Sequence, residues 1–167
     1  MLAGRSLVRG RRADGAATIR DVTVTPTETL DPYRLPRHTT PTRYDINLEP
    51  DLDAGTFSGT VRILADTSGP ADQLILNALE LEIDECILDG VPAPFELDAD
   101  AERLFIRPPD GVAGGTHELQ LVFRGILNDK LRGFYRSTYL DDDGVERVIA
   151  TTQMQSTDCR RAFPCWD

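Results

Sequence analysis

Histidine is scarce: His38 and His117 are the chain's only two, and that narrows the chemistry at once. A His-Glu-x-x-His zinc motif needs two histidines four apart on one helical face, so that both ring nitrogens reach a single ion. His117-Glu118-Leu119 opens such a string, but four residues further on stands Leu121. The segment also alternates like a strand, so His117 is expected to be a surface histidine and no ligand. Cysteine is sparse too. Cys86, Cys159 and Cys165 are odd in number and scattered, which excludes a fully paired disulfide framework and suits a reducing, cytosolic compartment. Cys159 and Cys165 lack the close spacing, and the second pair, of a structural zinc site; both are expected to be small buried hydrophobes. No apolar run approaches the roughly 18–20 residues that span a bilayer, so no membrane partner is expected. There is no secretory h-region and no Asn-x-Ser/Thr acceptor. Basic residues are outnumbered, 18 against 28 acidic, for a formal net charge of -10. A surface that acidic repels phosphate backbones, which argues against nucleic acid and serves chiefly solubility.

What is present is enough for one folded unit: 167 residues, 40% of them hydrophobic, can bury a single core. The opening "MLAGRSLVRGRRADGAATIR" is Arg-rich and poor in acids. Its composition resembles a transit peptide, but residues 1–31 lack periodic apolar pattern and are expected to form a disordered basic tail, with the domain over 32–167. From Tyr33 onward the period is two. "RYDINLEP" sets Tyr44, Ile46 and Leu48 against Asp45 and Asn47; "TFSGTVRILA" sets Phe57, Val61 and Ile63 against Thr60 and Arg62. With "PDLDAG" between them they predict an antiparallel hairpin. "QLILNALELEI", "RLFIRPP", "THELQLVFRG", "GFYRSTYL" and "VERVIATTQ" continue the series. Asp89-Gly90 is a strong two-residue hairpin signal. "LILNALELEIDECIL" is rich in helix formers, but its alternation predicts strand. Many short strands with turns between them predict an all-β sandwich.

Other motifs reduce to turns. Asp141 to Gly144, "DDDG", resembles part of a calcium loop but lacks the closing Glu, and is expected to be a polar hairpin turn. "GVAGG" precedes a strand, not a helix, so it is no phosphate cradle. No Ser, His and Asp can be assembled into a triad. The residues by themselves describe an acidic β domain without a complete catalytic apparatus.

The last third carries more. Gly133-Phe134-Tyr135-Arg136-Ser137, then Thr151-Thr152-Gln153, then the run from Thr157 through Asp158, Cys159, Arg160, Arg161, Ala162, Phe163, Pro164, Cys165 and Trp166 to Asp167 closely resemble a block of zinc aminopeptidases of the aminopeptidase N and puromycin-sensitive type. Upstream, "YRLPRHTTPTRYDINLEPDLDAGTFSGTVRI" is similar to the same family's opening, so the resemblance covers Tyr33 to Asp167. It implies the family's N-terminal domain, a saddle-shaped, largely antiparallel β-sandwich. It implies that the chain is truncated before a thermolysin-like catalytic domain, which would carry Gly-x-Met-Glu-Asn and His-Glu-x-x-His, and against which the domain would pack. It implies zinc in the full-length enzyme, none bound by this fragment, and peptides as substrates, shortened from their N-termini. Phe163 and Trp166 would face the missing domain or the lower sheet. Two site residues follow from the resemblance. Gln155 matches a Glu or Gln that helps hold the substrate's α-amine, and Gln153 matches a position lining the pocket for the first side chain. Met154 between them is expected to pack inward. Cys159 departs from the family's usual Ala. The alternatives are a stand-alone β-sandwich binding module and an inactive family member.

Overall fold

A computed structural model describes residue 31 and residues 33–167; the expected tail, Asp31 apart, lies outside the described residues. Ten strands form in chain order: β1 (Thr39–Asp51), β2 (Thr56–Thr67), β3 (Leu74–Asn77), β4 (Leu81–Leu88), β5 (Val91–Pro92), β6 (Phe95–Asp98), β7 (Arg103–Ile106), β8 (Gly115–Ile126), β9 (Gly133–Leu140) and β10 (Glu146–Gln153). One 3₁₀ turn follows at Asp158–Arg161, and the described residues hold no α-helix. Every ladder is antiparallel, so the expected all-β class holds. The strands make a five-stranded sheet in the order β1-β2-β8-β4-β5, a three-stranded sheet β3-β7-β6, and a two-stranded sheet β10-β9.

Alternation explains the larger sheet. In β2, Phe57, Val61 and Ile63 are buried while Thr56, Ser58, Thr60 and Arg62 between and beside them are exposed. They register directly against Gly125, Leu121 and Leu119 of β8. The smaller sheet supplies Leu74, Leu76, Leu104 and Ile106 to the same core. Two glycines make room for its aromatic rings. A Cβ on Gly59 would stand 2.6 Å from the Phe123 ring, and one on Gly125 2.3 Å from the Phe57 ring; each glycine is the cross-strand partner of the ring it admits. The interior is packed too tightly to absorb even one methyl at such points.

The turns follow local chemistry. Asp89 and Gly90 both take positive φ, 51° and 80°, the geometry a two-residue hairpin requires. Asp141 Oδ1 accepts the N–H groups of Asp143 and Val145 at 3.1 and 2.9 Å, so "DDDG" is the expected polar turn of the β9–β10 hairpin.

Two features differ from the one-dimensional pattern. The stretch "QLILNALELEI" is not one strand. It splits at Ala78-Leu79-Glu80, with Glu80 at φ 56°, sending β3 into the three-stranded sheet and β4 into the five-stranded one. A register shift between Ile83 and Glu85 then offsets the alternation by one, and Cys86 and Leu88 turn inward. Ile46 registers against buried Val61, on the inward side as expected. It stays 42% exposed because β1 is an edge strand with little above it.

Candidate functional site: the loop after strand β10

β9 and β10 form a sheet of their own, joined to the rest of the chain by one parallel bridge between Tyr135 and Asn128, with the Arg136 N–H donating to the Asn128 carbonyl at 2.9 Å, so side chains must also fasten this hairpin to the sandwich. Phe134 does so: it is buried, and its ring meets Phe57 edge-on at 5.1 Å between centroids. At the far end of the ladder Gly133 opposes Gln153. Gly133 has φ 64°, and a Cβ there would lie 2.6 Å from Arg161 Cβ and 3.1 Å from the Asp158 carbonyl. Only glycine lets the hairpin close onto the 3₁₀ turn.

The chain between those contacts is the loop of interest. Gln153 is the last residue of β10 and is exposed; Gln155 is exposed in the turn that follows, and the peptide bond between Gln155 and Ser156 is cis. Met154 packs against the core between them, as expected. The Asp158 N–H donates to the Met154 carbonyl at 3.0 Å and closes the loop. Neither glutamine side chain has a hydrogen-bond partner among the described residues. Two free carboxamides therefore stand on a loop whose base is held from both sides. Each offers a carbonyl oxygen as acceptor and an NH₂ as donor.

What holds the base was not legible in the sequence. Arg160 reaches Glu102 Oε2 at 2.8 Å and Asp167 Oδ1 at 2.9 Å; Arg161 reaches Glu80 Oε2 at 2.6 Å and Asp158 Oδ1 at 2.8 Å. Both arginine side chains are mostly covered, 14% and 16% exposed, so the pairs to the equally covered Asp167 and Asp158 are better shielded than ordinary surface bridges. Burial lowers the pKa of each arginine, but the carboxylate hydrogen bonds outweigh it and leave each raised. Backbone bonds reinforce the clamp: the Leu79 N–H donates to the Arg160 carbonyl at 3.0 Å. The signal was the Arg-Arg pair, but its partner Glu102 lies 58 residues away.

The final residues turn back on the sandwich. Cys165 exchanges backbone hydrogen bonds of 2.8 and 3.0 Å with Asn77 of β3, and the Trp166 N–H donates to Tyr44 Oη at 2.9 Å. Phe163 lies against the Tyr44 ring, 6.1 Å between centroids, and both Phe163 and Trp166 pack on the core. Of the two surroundings expected for them, the sheets are the one present. Burial pushes the Tyr44 phenol up to about 12 against the opposing effect of the Trp166 N–H, so it remains a neutral phenol near pH 7.

The remaining candidates resolve simply. Asp89 Oδ2 accepts from His117 Nδ1 at 2.7 Å, and His117 Nε2 stands 2.9 Å from the Ala113 carbonyl. The His117 side chain is only 11% exposed, so the expected surface histidine is instead a bridge between the β4–β5 turn and the loop before β8. Cys165 is buried as expected, whereas Cys159 is half-buried. No group of three His, Cys, Asp or Glu is placed to hold a metal among the described residues. A surface hollow of about 390 Å³ lies elsewhere, on the outer face of the five-stranded sheet, with Arg62, Glu85 and Gln120 in its lining. Neither Gln153 nor Gln155 borders it, so it is no part of this loop.

Comparison with known proteins joins these pieces. Residues 40–167 match the Peptidase M1 N-terminal domain. Aminopeptidase M1-C of Oryza sativa subsp. japonica is 41% identical over 137 residues, covering 80% of this chain and 16% of the relative. Aminopeptidase M1 of Arabidopsis thaliana is 38% identical over 143 residues, again 80% of this chain and 16% of the relative. The alanine/arginine aminopeptidase of Saccharomyces cerevisiae is 38% identical over 139 residues, with the same shares. The chain thus spans about one-sixth of the length of these relatives. A β-sandwich whose last strand delivers a clamped, glutamine-bearing loop, matched along nearly its whole described length, belongs to the peptidase M1 family as its N-terminal domain.

Proposed function

We propose that this chain is the N-terminal β domain of a zinc-dependent aminopeptidase that removes N-terminal residues from peptides. In this reading the loop after β10 forms one wall of the substrate cleft. The Gln155 side-chain oxygen accepts a hydrogen bond from the peptide's free α-ammonium, and Gln153 lines the pocket for the first side chain. The observation that carries the reading is the family match over 40–167 together with relatives named as aminopeptidases. The clamped base and free carboxamides support it: an ammonium group needs acceptor oxygens held in place in advance.

Zinc enters only as an implication of the family. The described residues offer no donor cluster for it, so its ligands would belong to a further, thermolysin-like domain of the full-length protein, and the part of this unit is binding. The exposed apolar residues of the β9–β10 hairpin, Tyr139, Leu140, Val145 and Ile149, suit a surface covered by that domain. The cysteine content suits a cytosolic enzyme, and no helix among the described residues is long and apolar enough to cross a membrane.

The test is aminopeptidase kinetics of the full-length protein with Gln155→Ala and Gln155→Glu, on peptides with free and with blocked α-amines. A loss confined to free-amine peptides supports the anchoring role. Equal losses on both would place Gln155 in packing, and no metal-dependent turnover by the wild-type protein would overturn the enzymatic reading itself.

A further inference from the structure

Acids outnumber bases 28 to 18 in this chain, and exposed arginines on the strands take them up. Arg43 pairs with Asp45, Arg107 with Glu96, Arg124 with Glu82 and Asp84, and Arg147 with Asp141. Lys130 and Arg132 do not follow this pattern. Both are exposed, and neither side chain has a hydrogen-bond or ion-pair partner among the described residues. Together with Arg161, Asn128 and Glu80 they line one small hollow of about 100 Å³.

Both walls of the hollow are fixed by the fold. On one side, Asn128 spans the loop between β8 and β9. Its Nδ2 donates to the Arg132 carbonyl at 2.9 Å, and its Oδ1 accepts from the Lys130 N–H at 2.8 Å. The backbone is thus held on either side of Leu131, which takes φ 58°. On the other side, Arg161 Nη1 reaches Glu80 Oε2 at 2.6 Å and its Nε donates to Asp158 Oδ1 at 2.8 Å. A guanidinium has five N–H donors, so Nη2 remains without a partner among the described residues. The lining holds three cations and one acid; Asp129, in the same loop, is exposed and does not line it. A carboxylate fits this set. It is small, it carries one charge, and its two oxygens match the planar edge of a guanidinium. A phosphate dianion would meet the Glu80 carboxylate at greater electrostatic cost.

We propose that the hollow between the β8–β9 loop and the 3₁₀ turn is a carboxylate-binding site, which takes an acidic side chain or the C-terminal carboxylate of a peptide. Lys130 and Arg132 supply the charge, and Arg161 supplies a donor held in place in advance. Gly133, next to Arg132, is the register partner of Gln153, so the site lies at the end of the ladder from which the Gln155 loop departs. Binding at this site does not rest on the aminopeptidase reading.

Lys130 is the chain's only lysine, which makes the test direct. Reductive methylation with ¹³C-formaldehyde keeps the charge and gives one side-chain NMR signal, with the α-amine as an internal control. The purified chain is titrated at constant ionic strength with three N-acetylated peptides of otherwise uncharged sequence. One has a free C-terminus, one is amidated and carries a single Glu, and one is amidated without any acid. The expected result is a saturable shift of the Lys130 signal with the first, the second or both, which identifies the source of the carboxylate. The third peptide and the α-amine signal should show none. Arg132→Gln, at an exposed loop position, is expected to weaken the affinity about 2- to 5-fold, the scale of an exposed ion pair. The proposal is overturned by no saturable shift with either acidic peptide, by an equal response to the neutral one, or by a parallel shift of the α-amine. Unchanged affinity in Arg132→Gln, or tighter binding of inorganic phosphate than of either peptide, would overturn it as well.

Discussion

Two single residues carry sharp expectations. The proposed hydrogen bond between the Gln155 carbonyl and a substrate ammonium would contribute roughly 1.5–3 kcal/mol. Gln155→Ala in the full-length protein is therefore expected to lower kcat/KM for free-amine peptides roughly 10- to 150-fold. Gln155→Glu would, on the proposed anchoring, place a carboxylate opposite the ammonium and is expected to keep most of the activity; steady-state kinetics on paired free and blocked peptides read both. His117 gives a pH signature. Burial lowers its pKa, but the bonds to Asp89 and the Ala113 carbonyl outweigh burial and leave it raised. The folded state therefore holds the proton more tightly than the unfolded chain, where histidine titrates near about 6.5. Its contribution to stability is fully present below that value and is lost as pH rises through the folded pKa. Thermal unfolding is expected to show stability falling from about pH 6.5 upward through this transition. His117→Gln should flatten that slope, and a proton NMR titration of His117 should place its midpoint above that of a free imidazole. A midpoint at or below the free value would contradict the bridge.

At the scale of elements, the β9–β10 hairpin is the part that sandwich pairing does not explain. It is fastened by Phe134 at its side and by Gly133 at its end. Gly133→Ala tests the second attachment. A residue with a Cβ at φ 64° bears the left-handed cost of about 1–2 kcal/mol, and the contact with Arg161 adds an overpacking cost of about 1–3 kcal/mol. Denaturant unfolding is expected to show a loss of about 2–5 kcal/mol with an unchanged m-value. In the full-length protein the same change should weaken free-amine peptides by displacing the Gln155 loop. A loss under about 0.5 kcal/mol, the size of an ordinary surface effect, would mean that the hairpin does not close on the turn as described.

Across the whole molecule, the first long strand and the last residues meet. The Trp166 N–H and Tyr44 Oη are 122 positions apart in sequence, and their bond links the edge strand of the larger sheet to the segment that also bridges β3. Tyr44→Phe keeps the ring that faces Phe163 and removes only the acceptor. Because Trp166 is half-buried and water can reach part of it, the cost should lie near the lower end of the range for an unmade bond, about 1 kcal/mol. For a domain of this size that is a fall in Tm of roughly 2–4 °C, measurable by calorimetry. An unchanged Tm would show that the C-terminal segment adds no stability through this link.

The sequence by itself determined the class of fold. Period-two runs such as Phe57, Val61 and Ile63 can bury one face only as strands, and Asp89-Gly90 can turn only as a tight hairpin, because both depend on local backbone geometry. It also carried the family, since the string from Gly133 to Asp167 needs no coordinates to be matched, and with it the proposal that Gln153 and Gln155 face the substrate. Tertiary structure alone decided the rest. The break at Glu80 sends two halves of one alternating stretch into different sheets. The Ile83–Glu85 bulge reverses which residues face inward, and Arg160 and Arg161 find their acids in distant loops. His117 is covered by a turn, and the segment after the 3₁₀ turn is held on β3 by the backbone bonds between Asn77 and Cys165. Each of these depends on partners brought together by long-range strand pairing. A pattern read along one chain records which face a residue turns, but not what comes to lie against it.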